Sequence, residues 1–136
     1  MVGGRLTTKV YFDGGCRPNP GPIRAAAVVR GVVHLRDDLG AGSSGDAEWL
    51  ALLHALEVAA GAGQRDVILL GDSASVIDQA NGIARRRIGP ALEARFDRLS
   101  RHFDGLRFRR IKRNQNLAGI ALEQGHRRSV RMSLFA

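Results

Sequence analysis

Residues 9–29 read KVYFDGGCRPNPGPIRAAAVV, and they set how the fold begins. From Thr8 to Asp13 the side chains alternate in polarity, which predicts a strand with one buried face. A segment rich in Gly and Pro follows, and after it come two β-branched runs, Ala25 to Val29 and Val32 to Leu39, with a Gly-containing turn between them. We therefore predict that the chain opens with three antiparallel strands.

The pattern changes to alternating helices and strands after the Gly- and Ser-rich loop at residues 40–45. Asp46 is the predicted N-cap of an Ala- and Leu-rich helix over about residues 47–61. The apolar run from Val67 to Leu70 is typical of a strand that is buried on both faces. A second helix is expected to follow this strand and to end near Asn81-Gly82.

The last part of the chain repeats this alternation. Pro90 is expected to start a third helix, in which an apolar stripe with helical spacing predicts core packing. A basic strand, Leu106 to Lys112, and a last helix over about residues 116–126 complete the predicted set. These elements place the chain in the α/β class.

Composition and charge narrow the function classes. The 136 residues are 44% hydrophobic and 25% charged, which fits one globular domain and disfavours a disordered chain. Residues 1–83 hold seven Lys/Arg and nine Asp/Glu, whereas residues 84–136 hold fourteen and four. The net charge of +8 points to a polyanionic partner, with a merely solvated basic surface as the alternative.

The sequence also bears on location. No apolar run approaches the roughly 20 residues that a membrane helix needs, and the N-terminus lacks the apolar core of a secretory signal. The single cysteine, Cys16, cannot form an internal disulfide. We therefore expect a cytoplasmic protein without a membrane partner.

Three acids stand where chemistry is expected in an α/β sheet. Asp13 lies late in the first strand, Glu48 in the first turn of the long helix, and Asp72 just after the buried strand. Taken singly, each has a structural explanation, in a turn, at a helix dipole or as a helix cap. If the two strands are neighbours, Asp13 and Asp72 meet at one sheet edge, where close carboxylates need a cation between them. Oxygen ligands without His or Cys favour Mg²⁺ or Mn²⁺, and two such ions about 4 Å apart can clamp a phosphodiester.

Three motifs, in order and at matching intervals, resemble those of ribonuclease H type 1 domains. They are KVYFDGGCRPNPGPIRAAAVV, GDAEWLALLHALEVA and VILLGDSASVIDQANG, and the resemblance runs from about Lys9 to Glu123. It implies a ribonuclease H-like fold over residues 1–126, in which a five-stranded mixed sheet of three antiparallel and then parallel strands is flanked by helices. Residues 127–136 are then a basic C-terminal tail. The short connection between Arg87 and Pro90 resembles the compact form without a basic protrusion.

The resemblance also implies an activity and a metal site. Family members hydrolyse the RNA strand of RNA/DNA hybrids, and Asp13, Glu48 and Asp72 match three of the four metal-site carboxylates. Gly119 stands where the fourth, an Asp, usually follows Ala118. Glu123, one helical turn further on, is a candidate replacement. Two Mg²⁺ or Mn²⁺ ions are the implied cofactors.

The same match implies substrate contacts. The Gly-rich turn of the family faces the 2′-hydroxyls of the RNA strand, and basic residues contact phosphates. The candidate substrate-binding residues here are Gly14, Gly15, Cys16, Asn19, Asn81, Arg85, Arg86 and Arg113. The expected partner is an RNA/DNA hybrid, with double-stranded RNA as a further substrate to consider and with no obligate protein partner evident. A binding module that cuts weakly or not at all is the alternative, because the fourth acid is missing.

Overall fold

The computed structural model describes residues 6–125 of the chain. Its strands are β1 (Thr8–Cys16), β2 (Gly21–Val29), β3 (Val32–Arg36), β4 (Ala41–Gly42), β5 (Asp66–Gly71) and β6 (Gly105–Arg110). Its helices are α1 (Ser44–Gly61), α2 (Ala74–Ala80), α3 (Pro90–Ser100) and α4 (residues 117–125), and a short 3-10 turn covers Arg113–Gln115. Apart from β4 and the 3-10 turn, the order of these elements is the predicted one.

The strands form one mixed sheet in the order β3-β2-β1-β5-β6. Strands β1, β2 and β3 pair antiparallel, whereas β1, β5 and β6 pair parallel. This confirms the predicted fold class. The two-residue strand β4, which pairs with the start of β2, is a small addition that the sequence did not predict.

The core lies between the sheet and α1. In β1, Val10 and Phe12 point to this side and are fully buried, as the alternating pattern requires. Helix α1 packs across β1 and β2 and is buried over much of its circumference, so its interior positions are almost all Ala and Leu. Helix α3 closes the same layer through Phe96, whose ring meets Trp49 of α1 edge to face.

The start of α1 corrects one prediction. The N-cap is Ser43 rather than Asp46, because the Ser43 hydroxyl accepts the backbone N–H of Asp46 while the Asp46 carboxylate accepts the N–H of Ser43. This reciprocal capping box places Asp46 at the third helical position. The helix therefore begins three residues before the predicted start, and Glu48 lies at the fifth helical position, in the second turn rather than the predicted first.

Further boundaries differ from prediction: β2 begins at Gly21 rather than Ala25, and β6 ends at Arg110 rather than Lys112. Strand β1 continues past Asp13 to Cys16, since Gly14 to Cys16 still pair with β2. Strand β3 ends at Arg36 rather than Leu39. The predicted basic tail at residues 127–136 lies outside the described residues. Within residues 6–125, no helix is both long enough and apolar enough to cross a membrane.

Candidate active site

Three elements bring Asp13, Glu48 and Asp72 together. Strands β1 and β5 pair parallel with Tyr11 opposite Leu70, so Asp13 and Asp72 both lie two residues further along the same edge. Helix α1 crosses this edge and adds Glu48. One carboxylate oxygen from each residue lies within 4.8 Å of the others. The carboxyl ends of β1 and β5 therefore carry the cluster that the sequence predicted there.

The cluster resists full ionisation in the absence of a cation. Burial, followed by repulsion from Asp13 and Asp72, raises the pKa of Glu48 to about 9. Burial and repulsion from Asp72 raise the pKa of Asp13 to about 6, and this rise is opposed by a hydrogen bond from Glu48. The cluster therefore retains a proton near neutral pH, which a bound cation can replace.

The environment of Glu48 indicates that the cluster suits a metal ion. Its Oε2 atom is buried and has no hydrogen-bond partner among the described residues. A buried carboxylate oxygen without a partner is unfavourable unless a cation or water meets it. Three carboxylates with such an oxygen fit a hard, oxygen-preferring ion such as Mg²⁺ or Mn²⁺.

Asn116 orients Asp72, a role that sequence reasoning missed. Its side chain is fully buried, and Nδ2 donates to Asp72 Oδ2 at 2.9 Å and to the Phe12 carbonyl at 3.0 Å. Its Oδ1 accepts the backbone N–H of Ala118 at the start of α4. The only sequence signal was an Asn just before a helix, which ordinarily indicates a cap and no more.

Helix α4 approaches the cluster at Gly119. A Cβ atom at this position would lie 3.4 Å from Asp13 Oδ2, so a side chain there would face the carboxylates. The space between Gly119 and Asp13 is part of a cavity of about 170 Å³, which is lined in part by Asp13, Gly119 and Glu123. Glu123 is not part of the carboxylate cluster, and its Oε2 lies 2.5 Å from Arg17 Nη2.

Comparison with known proteins identifies relatives of this chain. A family model described as reverse transcriptase-like matches residues 12–124. The RNase H1 crystal structure from the halophilic archaeon Halobacterium salinarum aligns with a TM-score of 0.73 and 33% identity, over 86% of this chain and 94% of that one. The chain belongs to the ribonuclease H family.

Further relatives agree with this membership. Ribonuclease HI of Halobacterium salinarum is 42% identical over 85 residues, a match that spans 59% of this chain but only 42% of that protein. The N-terminal RNase H domain of rv2228c from Mycobacterium tuberculosis has a TM-score of 0.75 and 25% identity, over 86% of this chain and 95% of that one. LC11-RNase H1, solved in complex with an RNA/DNA hybrid, has a TM-score of 0.67 and 26% identity, over 88% and 99%.

The Gly-rich turn of this ribonuclease H family member holds β1 against α1. A Cβ on Gly14 would lie 2.1 Å from the Ala47 carbonyl oxygen, so only glycine allows this close approach. Gly15, by contrast, would have room for a Cβ beside Leu122. This approach brings the start of α1 against the end of β1 that carries Asp13.

The next residues of the turn are tied to the helix start. Cys16 is buried, and its Sγ lies 3.5 Å from Asn19 Oδ1. The Asn19 side chain accepts the backbone N–H of Ser44, which links the turn to α1. Cys16 and Asn19 therefore lie near the cluster, and the hydrogen bonds described for them are with other residues of the protein.

The remaining candidate substrate residues divide into two groups. Arg113 is 81% exposed and lies 3.9 Å from Asp72, and Arg85 is also exposed. Asn81 ends α2, and its Nδ2 donates to the Phe108 carbonyl on β6. Asn81 and Arg86 thus make contacts within the protein, whereas Arg85 and Arg113 face solvent.

Arg86 is held by four neighbours, one of which is the Gln79 carbonyl oxygen, which accepts from Nε at 3.3 Å. Its Nη1 donates to Glu93 at 2.6 Å and lies 3.5 Å from Asp97. Its guanidinium also lies 4.4 Å from the centre of the Phe96 ring. These contacts anchor the loop before α3 to the core, so Arg86 stabilises the fold rather than facing solvent.

Proposed function

We propose that this protein is a metal-dependent endonuclease that hydrolyses the RNA strand of RNA/DNA hybrids. The observation that carries the proposal is the cluster of Asp13, Glu48 and Asp72, which have ligand oxygens within 4.8 Å of one another. Asp13 and Asp72 lie toward the carboxyl ends of neighbouring strands in a ribonuclease H family sheet, and helix α1 adds Glu48. A relative of the same fold, LC11-RNase H1, was solved with an RNA/DNA hybrid, which supports this substrate class.

Asp13, Glu48 and Asp72 are the proposed metal ligands. Two Mg²⁺ or Mn²⁺ ions bound there would supply Lewis acids that activate a water and stabilise the leaving oxygen of a phosphodiester. The buried Oε2 of Glu48, which has no hydrogen-bond partner within residues 6–125, and the raised pKa of Asp13 support a cation at this place. No covalent enzyme intermediate is part of this proposal.

The neighbouring residues position the ligands and the substrate. Asn116 holds Asp72 through its Nδ2 at 2.9 Å and thereby fixes the carboxylate that faces the cluster. Arg113, exposed beside Asp72, is proposed to bind a phosphate of the substrate. We further propose that Gly119 occupies the place of the family's fourth metal-site Asp, because a Cβ there would lie 3.4 Å from Asp13 Oδ2.

The substrate surface continues along the Gly-rich turn. Backbone groups of Gly14 and Gly15, together with Cys16 and Asn19, are proposed to meet the 2′-hydroxyls of the RNA strand. Asn81 and Arg85 are proposed to contact the nucleic-acid backbone on the other side. Arg86 is the one predicted substrate residue that we leave out of this proposal, since its guanidinium already contacts Glu93 and Phe96. The cytoplasmic location predicted from the sequence is kept as part of this proposal.

The experiment that tests the proposal is cleavage of an RNA/DNA hybrid with Mg²⁺ and with Mn²⁺. The native protein should cut, whereas Asp72→Asn should lose roughly 100-fold or more in rate, on the order of the effect of removing a stabilising charge from an active site. Asp104→Asn is the matched control, because this Asp pairs with Arg65 on the surface and should leave the rate unchanged. Equal rates for native protein and Asp72→Asn would refute the proposed site.

The absence of a side chain at Gly119 favours one alternative, a module that binds hybrids and cuts them weakly or not at all. In that case the hybrid would bind with an affinity that falls steeply with salt, while no metal would support cleavage. A duplex panel that includes double-stranded RNA separates this alternative from a nuclease of different substrate preference. Metal-dependent cleavage that disappears in Asp72→Asn would exclude the binding module.

A further inference from the structure

An ion pair crosses the cavity next to the carboxylate cluster. Arg17, the first residue after β1, donates from Nη2 to Glu123 Oε2 of α4 at 2.5 Å. The partners are 106 residues apart in the sequence, so the pair joins the Gly-rich turn to the last described helix. Both residues line the same cavity as Asp13 and Gly119.

This pair is open to exchange. The Arg17 side chain is 56% exposed and that of Glu123 is 37% exposed. Exposed ion pairs change an equilibrium constant by a factor of about five at most, because water screens them and both side chains lose freedom. A phosphate, which accepts bidentate hydrogen bonds from a guanidinium, can therefore compete for Arg17.

The Glu123 carboxylate can also reach the space beside Asp13. Glu123 lies one turn after Gly119 on α4, and side chains on a helix lean back toward the N-terminus, over the preceding turn. Residues four apart have Cβ atoms about 5–6 Å apart. Since Gly119 has no side chain, the space beside Asp13 Oδ2 is open to a carboxylate from Glu123.

We propose that Arg17 is a positioning residue, which holds Glu123 outside the carboxylate cluster in the free protein until a nucleic-acid phosphate takes over the guanidinium. Glu123 then turns toward Asp13 and completes the cation site that Gly119 leaves short of one acid. The inference rests on the proposed function, because it assumes that this cluster binds a divalent cation and a nucleic acid.

The charges around the cavity favour this exchange. Three guanidinium groups line the cavity, from Arg17, Arg24 and Arg113, against the two carboxylates of Asp13 and Glu123. A phosphate that enters meets a net positive rim. As the phosphate takes over the Arg17 guanidinium, Glu123 is released from its contact with Arg17 and turns toward the space beside Asp13.

The test measures Mn²⁺ binding to the free protein by isothermal titration calorimetry. Arg17→Gln should bind Mn²⁺ up to about fivefold more tightly than the native protein, because Arg17 no longer holds Glu123. The double variant Arg17→Gln/Glu123→Gln should bind like Glu123→Gln alone. Arg65→Gln is the matched control, since the Arg65 pair with Asp104 is about as exposed as the Arg17 pair and lies on another part of the surface. Its Mn²⁺ affinity should be unchanged.

The double variant separates the proposal from a simple charge effect. If Arg17→Gln tightens Mn²⁺ binding equally with and without Glu123, loss of a nearby positive charge explains the result and the proposal is overturned. It is also overturned if Arg17→Gln binds Mn²⁺ like the native protein. If the native protein binds no Mn²⁺, the proposed function itself fails, which is a different result from failure of Arg17→Gln alone.

Steady-state cleavage gives a second readout that a structural ion pair would not move. Arg17→Gln should raise KM for the hybrid, because a phosphate contact is lost, and should keep kcat. Glu123→Gln should lower kcat and keep KM. Equal losses of thermal stability with no change in either constant would show that the pair only fastens α4, and would overturn the proposal.

Discussion

Restoring an acid at position 119 tests whether α4 presents this position to the carboxylates. In Gly119→Asp the new Cβ fits 3.4 Å from Asp13 Oδ2, so no backbone has to move. The new carboxylate then lies near a cluster in which the pKa of Asp13 and of Glu48 is already raised. Without a cation we therefore expect the variant to be less stable than the native protein.

The size of this loss depends on opposing effects. Two charges about 4 Å apart repel by about 4 kcal/mol at the effective dielectric constant near a protein surface. Proton uptake and the open cavity reduce this repulsion, and replacement of a helical Gly returns a few tenths of a kcal/mol. We expect a net loss of about 1–3 kcal/mol in the free energy of unfolding, most of it from charge repulsion. In saturating Mn²⁺ the sign should reverse, because a fourth oxygen ligand tightens cation binding to the folded state.

Urea denaturation followed by circular dichroism, in EDTA and then in Mn²⁺, measures both values. Gly119→Asn is the matched control, because it adds the same volume without the charge and should respond little to Mn²⁺. If the Asp and Asn variants have equal stability in both conditions, position 119 does not face the cluster. That result would also remove the stated reason for a role of Glu123.

Four further outcomes are expected. Asn116→Ala should lower the free energy of unfolding by about 2–4 kcal/mol in urea denaturation, because it leaves buried hydrogen-bonding groups without partners, whereas a surface Asn→Ala would change it little. The metal-free cluster should stabilise the protein most below about pH 4 and lose this contribution as the pH rises through about 6 and about 9, because folding raises the pKa values of Asp13 and Glu48. Thermal unfolding in EDTA across this pH range measures the effect. A stability of the native protein that rises with pH relative to Glu48→Gln would contradict it. Arg113→Gln should weaken hybrid binding and reduce the slope of log affinity against log salt by about one, as measured by fluorescence anisotropy, and an unchanged slope would exclude a phosphate contact. Arg86→Gln should instead lower the melting temperature and leave the salt slope unchanged, because its guanidinium is bound by the protein.

The parts of the fold that were predictable are those with a local signal. The alternation from Thr8 to Asp13 and the apolar run from Val67 to Leu70 reflect burial on one face and on both faces, and the structure has β1 and β5 there. Pro90 marked the start of α3 because proline fits the first turn of a helix. The meeting of Asp13 and Asp72 was predicted on the condition that their strands are neighbours, and β1 and β5 do pair.

The parts that were missed depend on side chains that meet across the fold. Asp46 was predicted as the N-cap because Asp is common there, but Ser43 takes that position through reciprocal hydrogen bonds with Asp46, which the sequence does not show. Arg86 was predicted as a substrate contact because it belongs to a basic run; its contacts with Glu93 and Phe96 depend on the packing of α3 and have no local signal in the sequence. Arg17 and Glu123 form an ion pair although they are 106 residues apart in the sequence, and no sequence spacing predicts that contact.

The proposed function depends on the role of Asp13, Glu48 and Asp72 in cleaving the RNA strand. The decisive assay uses a hybrid labelled with different dyes on its RNA and DNA strands, incubated with the native protein and Mg²⁺ or Mn²⁺. We predict internal cleavage of the RNA strand alone, abolished by EDTA and by Asp72→Asn. Cleavage of the DNA strand, or cleavage that survives both EDTA and Asp72→Asn, would contradict this role.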